Sequence, residues 1–253
     1  GGDPGMSLGG RTVLITGGGT GLGAHLAADF AAAGADVVIA GRRAEPLAAV
    51  AAATNGVRAV VADVTDEASV QAMFAAAGPV DVVIANAGAS ASAPFHRTSL
   101  AQWHEMVDGN LTGTFLTLRE GWAQLRGREW GRLIAVASTA GLRGYRYVGA
   151  YTAAKHGVVG LVRALAQEVA GSGTTANSLC PGFLATEMTE RSVANIMATT
   201  GRSRDEALAA LTADSPLHRL IDPAEVAAAA RWLCGPGSDA VNGQAIALDG
   251  GAT

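Results

Sequence analysis

The chain has 253 residues, of which 49% are hydrophobic and 16% are charged, and its formal net charge is −4. This composition is typical of a globular protein with a substantial core, and a negative charge with scattered arginines argues against nucleic-acid binding. The sequence contains no apolar run of about eighteen residues and no basic-then-apolar leader, so we expect a cytoplasmic protein that neither spans nor binds a membrane.

Short β-branched runs alternate along the chain with alanine-rich helical stretches. Residues 1–5, GGDPG, precede this pattern and are interpreted as a cloning remnant, so the predicted domain covers residues 6–253. Because the strands are continuously apolar, we expect helices on both faces of a parallel sheet. The pattern predicts one doubly wound, Rossmann-type α/β domain of about seven strands. The predicted strands are residues 12–16, 36–40, 58–62, 81–85, 132–137, 174–180 and 244–249.

The first predicted strand runs into a glycine-rich turn, TGGGTGLG at residues 16–23, and then into an alanine-rich helix. Glycines let a backbone approach a pyrophosphate closely, and the N–H groups of a helix start stabilise its charge. We predict this approach at Gly17, Gly21 and Gly23; the alternative is a turn that only joins strand to helix. The predicted cofactor-binding residues of this turn are Gly17, Gly19, Thr20, Gly21, Leu22 and Gly23.

The second and third strands end in residues that bear on cofactor choice. The second ends in AGRR, with a glycine where a carboxylate would bind a ribose 2′-hydroxyl, and the guanidinium of Arg42 or Arg43 would pair with a 2′-phosphate. This predicts NADP(H), and NAD(H) is the alternative if both arginines are solvated surface residues. Asp63, with Val64, is predicted to hold the adenine; alternatively Asp63 caps the helix that starts near Asp66.

Residues 151–155, YTAAK, contain Lys155, the only lysine among 18 lysines and arginines. Tyr151 and Lys155 are four residues apart and share one face of a helix. A phenol titrates near pH 10, so acid–base chemistry near neutrality asks for a shift of about three units. A nearby ammonium, helped by a cationic oxidised nicotinamide, shifts a phenol in that direction, and we therefore expect Lys155 to lower the pKa of Tyr151.

Residues 183–215 interrupt the alternation with two short amphipathic helical patterns between a strand and the next long helix. In doubly wound folds ligands lie beyond the carboxyl ends of the strands, where this segment begins. We predict that it forms a lid over the substrate.

Seven motifs in order make the chain similar to the short-chain dehydrogenase/reductase superfamily, from about residue 10 to the end. Within it the sequence resembles 3-oxoacyl-thioester reductases and small-alcohol dehydrogenases. The resemblance implies a seven-stranded sheet, a tetramer and hydride transfer between a nicotinamide and a carbonyl or alcohol. The motifs are TGGGTGLG (16–23), NAG (86–88), Asn110 in GNLTG, Ser138 in ASTAG, YTAAK (151–155), PGFLAT (181–186) and NGQAIALDGG (242–251).

The resemblance also implies the roles of four catalytic residues. Tyr151 would give a proton to the carbonyl oxygen, or remove one from the alcohol, while Lys155 would tune it and hold the nicotinamide ribose. Ser138 would hydrogen-bond the substrate oxygen, and Asn110 would order a water beside Lys155. Taken alone, Ser138 could be a strand-end turn residue and Asn110 a helix-interior amide bonded to backbone.

Further cofactor contacts follow from the resemblance alone. The NAG motif would approach the adenine ribose, and the PGFLAT motif would hold the nicotinamide carboxamide. The residues assigned in this way are Asn86, Ala87, Gly88, Pro181, Gly182, Leu184 and Thr186.

The substrate site is predicted to be apolar with arginines at its mouth. Such a site suits a substrate with an anionic handle, such as a coenzyme A or carrier-protein thioester; the alternative is that these arginines are surface residues. The predicted substrate-binding residues are Ser138, Arg143, Tyr145, Tyr151 and Met188. The function expected is an NADP(H)-dependent 3-oxoacyl-thioester reductase. The alternatives are an NAD(H)-linked small-alcohol or hydroxy-acid dehydrogenase and a non-catalytic dinucleotide sensor.

The helix that begins near Tyr151 has two apolar stripes, more than one sheet face needs, which predicts a homodimer or homotetramer. The alternative is that the subunit itself covers both. The stripes are Ala154, Val158, Leu161 and Leu165, and Val159, Val162 and Ala166. Cys180 and Cys234 are expected to be reduced, buried thiols, and the five dispersed histidines predict no metal site.

Overall fold

The short apolar runs rich in Val, Ile and Ala form the strands of one parallel sheet. The computed structural model describes residues 7–253, so the interpretation of residues 1–5 lies outside the described residues. Within that range the sheet has seven strands in the order β3-β2-β1-β4-β5-β6-β7. Each predicted strand agrees with an observed one to within one residue at either end. The strands are β1 (Thr12–Thr16), β2 (Asp36–Gly41), β3 (Val57–Val61), β4 (Val82–Ala85), β5 (Gly131–Val136), β6 (Thr174–Pro181) and β7 (Ala245–Leu248).

Helices pack on both faces of the sheet, as its continuously apolar strands require. Buried side chains of α1, α2 and α9 form the core on one face, and those of α3, α5 and α6 form the core on the other. The doubly wound prediction is therefore confirmed. The helices are α1 (Gly21–Ala32), α2 (Ala44–Ala53), α3 (Glu67–Ala77), α4 (Leu100–Val107), α5 (Gly113–Leu125), α6 (Gly149–Val169), α7 (Glu187–Thr200), α8 (Arg204–Thr212) and α9 (Pro223–Cys234).

The strand order reverses at β1, which pairs with β2 on one side and β4 on the other. At such a switch point the connections leave in opposite directions and open a crevice beyond the carboxyl ends of the strands. The residues that follow β1, β4, β5 and β6 all meet at this edge of the sheet, and they include most of the predicted site.

Two helices, α7 and α8, lie between β6 and α9, as the patterns in residues 183–215 predict. Ser203 and Glu206 form a reciprocal capping box at the start of α8. The Arg204 guanidinium lies 2.6 Å from the Glu190 carboxylate and ties α8 to α7. The segment is thus a pair of linked helices, and its role as a lid stays a prediction.

The apolar stripes of α6 are mostly covered within the subunit. Leu161 and Leu165 are only partly buried, and the remaining members, Ala154, Val158, Val159, Val162 and Ala166, are buried. The structure favours the alternative that the sheet and its helices cover both stripes. The predicted dimer or tetramer therefore has no support from this helix and stays a prediction.

Both cysteines are free and buried, which agrees with the expectation for Cys180 and Cys234. Among residues 7–253, no helix combines the length and apolar character that crossing a membrane requires.

Candidate active site

Tyr151 and Lys155 lie in the first turns of α6, directly below the carboxyl end of β5. The Lys155 amine is 5.6 Å from the centre of the Tyr151 ring, so the predicted pair is in contact range. Lys155 is 4% exposed, and its Nζ donates a hydrogen bond to the Val136 carbonyl oxygen at 3.0 Å. Tyr151 keeps part of its surface exposed at the cleft. A buried cation beside a partly accessible phenol is an arrangement suited to acid–base chemistry.

The protonation equilibria of this pair differ from the expectation. Burial raises the pKa of Tyr151 above its usual 10.0, while the neighbouring Ser138 hydroxyl acts in the opposite direction. Burial lowers the pKa of Lys155 from 10.5 to about 8, and nearby Cys180 opposes this change. The predicted lowering of the Tyr151 pKa is thus wrong for this structure, because the loss of solvent around the phenol outweighs its neighbours.

Ser138 follows β5 and begins a 3₁₀ turn, Thr139–Gly141, by accepting a hydrogen bond from the Ala140 N–H at 3.0 Å. A Cβ on Gly141 would lie 2.8 Å from the Lys155 carbonyl oxygen, so this turn packs directly against α6. The close contact brings the Ser138 hydroxyl to Tyr151. The turn role that the sequence left open is therefore present, together with the predicted position beside the phenol.

Asn110 lies in a π-helical turn, Asp108–Thr112, between α4 and α5, and it is 1% exposed. Its Nδ2 donates to the carbonyl oxygens of Ala89 at 2.8 Å and Met106 at 2.9 Å. Its Oδ1 finds no hydrogen-bond partner within residues 7–253. Backbone bonding thus accounts for only one end of the amide. Turns of this kind are frequent at functional sites, and a buried unsatisfied carbonyl costs about 1–3 kcal/mol.

Gly88 packs tightly against Asn110, on the side that Lys155 also approaches. A Cβ at this position would collide with Asn110 Oδ1 and would lie 3.7 Å from Lys155 Nζ. The orphan acceptor and the buried amine therefore lie close to the same side of Gly88. Any side chain at position 88 would displace the Asn110 amide.

The glycine-rich turn has the conformation that a close approach of a phosphate requires. Gly17 and Gly21 have φ values of +65° and +53°, in the left-handed region. A Cβ on Gly23 would collide with the Gly17 carbonyl oxygen. Within the described chain, α1 receives no side-chain cap from Thr20 and has no acidic residue in its first turn, which leaves its N–H groups free for an anion. These features fit the pyrophosphate of a dinucleotide.

The third-strand residue Asp63 does not cap the following helix. Its carboxylate accepts hydrogen bonds from the Thr65 N–H at 2.9 Å and the Thr65 hydroxyl at 2.7 Å, and Asp66 caps α3 instead. The Thr65 hydrogen bonds lower the pKa of Asp63, and the charge of Arg42 adds to this effect. Arg42 and Arg43 are exposed beyond the end of β2. Val64 turns inward, where a Cβ on Gly113 would strike it.

The segment after β6 reaches back across the crevice to the glycine-rich turn. The Gly182 N–H donates to the Leu248 carbonyl at 3.0 Å, and Leu184 pairs with Ile221 in an isolated parallel bridge. A Cβ on Gly21 would lie 3.8 Å from Thr186, which stands just before α7. The start of the predicted lid therefore lies opposite the start of α1. Pro181 is the last residue of β6.

A family model described as short chain dehydrogenase matches residues 11–196. The chain belongs to the short-chain dehydrogenase family. It is therefore an oxidoreductase that acts on alcohol or carbonyl groups with a nicotinamide cofactor.

Relatives of this short-chain dehydrogenase match it over nearly their whole length. It is 36% identical over 248 residues to a putative ketoacyl reductase of the granaticin polyketide synthase of Streptomyces violaceoruber, covering 94% of this chain and 91% of the relative. It is 33% identical over 245 residues to an acetoacetyl-CoA reductase of Shinella zoogloeoides, covering 95% and 98%. A crystal structure of an actinorhodin polyketide ketoreductase variant with NADPH aligns with a TM-score of 0.88, at 32% identity, over 96% and 97% of the two chains.

One structural residue of this dehydrogenase was missed by sequence reasoning. The buried Thr16 hydroxyl at the end of β1 accepts hydrogen bonds from the N–H groups of Asn86 and Ala87, both at 3.0 Å. The Asn86 side chain donates to the carbonyl oxygens of Thr16 at 3.1 Å and Gly17 at 3.3 Å. Asn86 thus braces the glycine-rich turn, and its predicted approach to a ribose stays a prediction. The signal available in the sequence was Thr16, a polar residue at the end of the otherwise apolar strand β1.

Arg143 is not a free cation at the mouth of the site. Its Nη1 donates to the Ala252 carbonyl oxygen at 3.1 Å, its Nη2 lies 3.5 Å from the Asp214 carboxylate, and its guanidinium stacks over the Tyr145 ring at 4.9 Å. These contacts join the loop after β5 to the end of the predicted lid and to the C-terminal residues. They compete with the anion-binding role that the sequence predicts for Arg143.

Proposed function

We propose that this dehydrogenase works as an NADPH-dependent ketoreductase on 3-oxoacyl thioesters. The observation that carries the proposal is the partly exposed Tyr151 phenol, which lies next to the Ser138 hydroxyl and whose ring centre is 5.6 Å from the buried Lys155 amine. The ketoacyl and acetoacetyl-CoA reductases among the relatives support the substrate class. Reduction consumes a proton, and the raised pKa of Tyr151 keeps that proton on the phenol at neutral pH.

The chain's own residues would act on the substrate oxygen. When bound, the nicotinamide supplies the hydride. Tyr151 donates its phenolic proton to the oxygen of the carbonyl, and Ser138 hydrogen-bonds the same oxygen as negative charge develops there. Preorganised donors of this kind need no rearrangement during the reaction.

Lys155 and Asn110 would restore the proton and stabilise the phenolate. The buried amine beside the ring favours a negatively charged phenol once the proton has left. Asn110 Oδ1 and Lys155 Nζ both lie beside Gly88, and a water between them would accept from the amine and donate to the amide. Such a water would satisfy the orphan acceptor of Asn110.

The cofactor would lie along the carboxyl ends of the strands. The uncapped start of α1 and the glycine-rich turn suit its pyrophosphate, and the exposed Arg42 suits a 2′-phosphate. The residues proposed to hold it are Gly17, Gly19, Thr20, Gly21, Leu22, Gly23, Arg42, Arg43, Asp63, Val64, Asn86, Ala87, Gly88, Tyr151, Lys155, Pro181, Gly182, Leu184 and Thr186.

The function is tested by incubating the protein with NADPH and an acetoacetyl thioester and following the loss of NADPH absorbance. We expect turnover with NADPH that exceeds turnover with NADH at equal concentration. Binding of NADPH without turnover of any ketone would favour the dinucleotide sensor. Faster oxidation of small alcohols or hydroxy acids with NAD would favour the other alternative.

Arg42→Asp is expected to lower kcat/KM for NADPH by roughly 10- to 100-fold, the equivalent of one charge-assisted hydrogen bond to a phosphate. The value for NADH should stay the same or rise, because a carboxylate accepts from a ribose hydroxyl and repels a phosphate. Initial rates at varied cofactor concentration measure both. Arg126→Asp, which makes the same charge change at an exposed position after α5, is the control. Equal losses for both cofactors would contradict the assignment.

A further inference from the structure

Three large apolar side chains stand exposed around the cleft that holds Tyr151. Phe95 is 86% exposed, Tyr147 is 60% exposed and Met188 is 44% exposed. We call these three residues the apolar rim. Exposed apolar side chains that gather in one place mark a surface that binds something apolar.

Short contacts place the members of the apolar rim around the active-site cleft. A Cβ on Gly149, the first residue of α6, would lie 3.2 Å from the Phe95 ring. The Phe95 ring therefore packs against the start of α6, two residues before Tyr151. Met188 Sδ lies 4.0 Å from the Ser90 hydroxyl oxygen. Phe95 and Ser90 belong to the same loop after β4, which begins at the proposed cofactor contacts. The rim therefore continues from the glycine-rich turn to the start of α6.

Tyr147 is held outward at a cost in backbone conformation. Its φ is +69°, in the left-handed region that bulky residues avoid because the conformation is strained. A hydrogen bond from the Ala93 N–H to the Tyr147 carbonyl oxygen, 2.7 Å long, fixes this conformation against the loop that carries Phe95. The fold thus holds an aromatic ring at the mouth of the cleft, and strain of this kind is concentrated at ligand-binding sites.

Two arginines lie next to the apolar rim. The Arg143 guanidinium already contacts the Asp214 carboxylate, the Ala252 carbonyl and the Tyr145 ring, whereas Arg146 is exposed beside Tyr147. Charge alone therefore does not select the substrate, but a short 3-oxo acid or sugar acid offers little apolar surface for the rim to cover. A long or cyclic acyl group offers the surface that Phe95, Tyr147 and Met188 can cover.

We infer that the enzyme selects its substrate by a large apolar acyl or ring portion that packs on the apolar rim. This inference rests on the proposed ketoreductase function and specifies its substrate class. Each buried methylene contributes roughly 0.8 kcal/mol, close to a fourfold change in kcat/KM. Several methylenes or a second ring therefore produce a large preference over an acetoacetyl group.

The test compares kcat/KM, with NADPH, for the N-acetylcysteamine thioesters of acetoacetate and 3-oxooctanoate and for the bicyclic ketone 2-tetralone. We expect the octanoyl thioester to exceed the acetoacetyl thioester by roughly 10- to 100-fold, and 2-tetralone to be reduced without any thioester. Phe95→Ser and Tyr147→Gly should each lower the octanoyl-to-acetoacetyl ratio by about fivefold or more. Trp232→Ser removes an aromatic ring that is 45% exposed on α9, away from the cleft, and should leave the ratio unchanged.

Stability and mass measurements separate this role from two others. Tyr147→Gly relieves the positive φ, so its urea midpoint should equal or exceed that of the wild type; a lower midpoint would indicate a structural role and overturn the assignment of Tyr147. A changed molar mass for Phe95→Ser in light scattering, with an unchanged ratio, would make the rim a contact between copies and overturn the inference. Equal kcat/KM for both thioesters overturns the inference but leaves the proposed function standing. If no ketone causes NADPH oxidation, both the inference and the proposed function are overturned.

Discussion

Tyr151→Phe is expected to lower kcat for ketone reduction by roughly 10²- to 10⁴-fold, the range for loss of a positioned general acid. The substitution removes only the phenolic oxygen, so the packing of α6 against the 3₁₀ turn should survive. Because burial raises the pKa of Tyr151, the wild-type phenol holds its proton across the neutral range. Single-turnover decay of NADPH absorbance measures the effect.

The control for this substitution is Thr152→Val, which removes the neighbouring hydroxyl on the same helix. The Thr152 hydroxyl is buried and has no hydrogen-bond partner among residues 7–253, so its loss should leave kcat within about twofold. NADPH binding, followed by fluorescence, should be retained in both variants. If folded Tyr151→Phe kept the wild-type kcat, the proposed proton donor would be wrong.

Lys155→Met is expected to abolish reduction and, at the same time, to stabilise the cofactor-free protein. Burial lowers the pKa of Lys155 from 10.5 to about 8, so the folded chain gives up a proton that the unfolded chain still holds between these values. Stability therefore rises with pH from 8 to 10.5, and below pH 8 the full penalty of burying the cation applies. A shift of this size corresponds to about 3 kcal/mol. The gain for Lys155→Met at pH 7 should be of that order.

Urea unfolding at pH 7 and at pH 9.5 measures this difference. Burial raises the pKa of Cys180 to about 11 and of Cys234 to about 12. Above pH 9 these thiols therefore ionise in the unfolded chain but not in the folded one, and the stability of the folded protein falls as the pH rises. Both proteins contain these thiols, so the Cys234 effect cancels in the difference between wild type and variant. Cys180 and Lys155 act on each other, so that difference reports on the two groups together. The advantage of Lys155→Met should shrink at pH 9.5, and Arg163→Met, which removes an exposed cation from the same helix, should show no such change. A variant less stable than the wild type at pH 7 would contradict the assigned penalty.

Local patterns in the sequence were enough to predict the framework of the site. Runs of five to seven residues, most of them apolar, located the strands to within a residue, because most strands of a parallel sheet are buried on both faces. The glycine-rich turn was predicted from residues that only a positive φ or a close approach explains, as at Gly17 and Gly23. The spacing of Tyr151 and Lys155 placed both on one helical face, since that relation needs no tertiary information.

The remaining properties of the site depend on segments far apart in the chain. The direction of the Tyr151 pKa was wrong because burial outweighs the neighbouring charges, and burial is set by the packing of β5, the 3₁₀ turn and α6 together. Arg143 was predicted as free, but its partners Asp214 and Ala252 lie many residues away in the sequence. The hydrogen bond from Asn86 to Gly17 was likewise not predicted, because β1 and β4 are neighbours only in the folded sheet.

The sequence by itself determined where the strands lie, where the glycine-rich turn lies and that Tyr151 and Lys155 share one helical face. Each of these depends on periodicity or on the conformational limits of single residues, which act within a few positions of the chain. Only the tertiary structure decided which charges are desolvated, which cations are already paired and which apolar rings stay exposed at the cleft. Those properties follow from solvent exclusion and from contacts between distant segments, which exist only once the chain has folded.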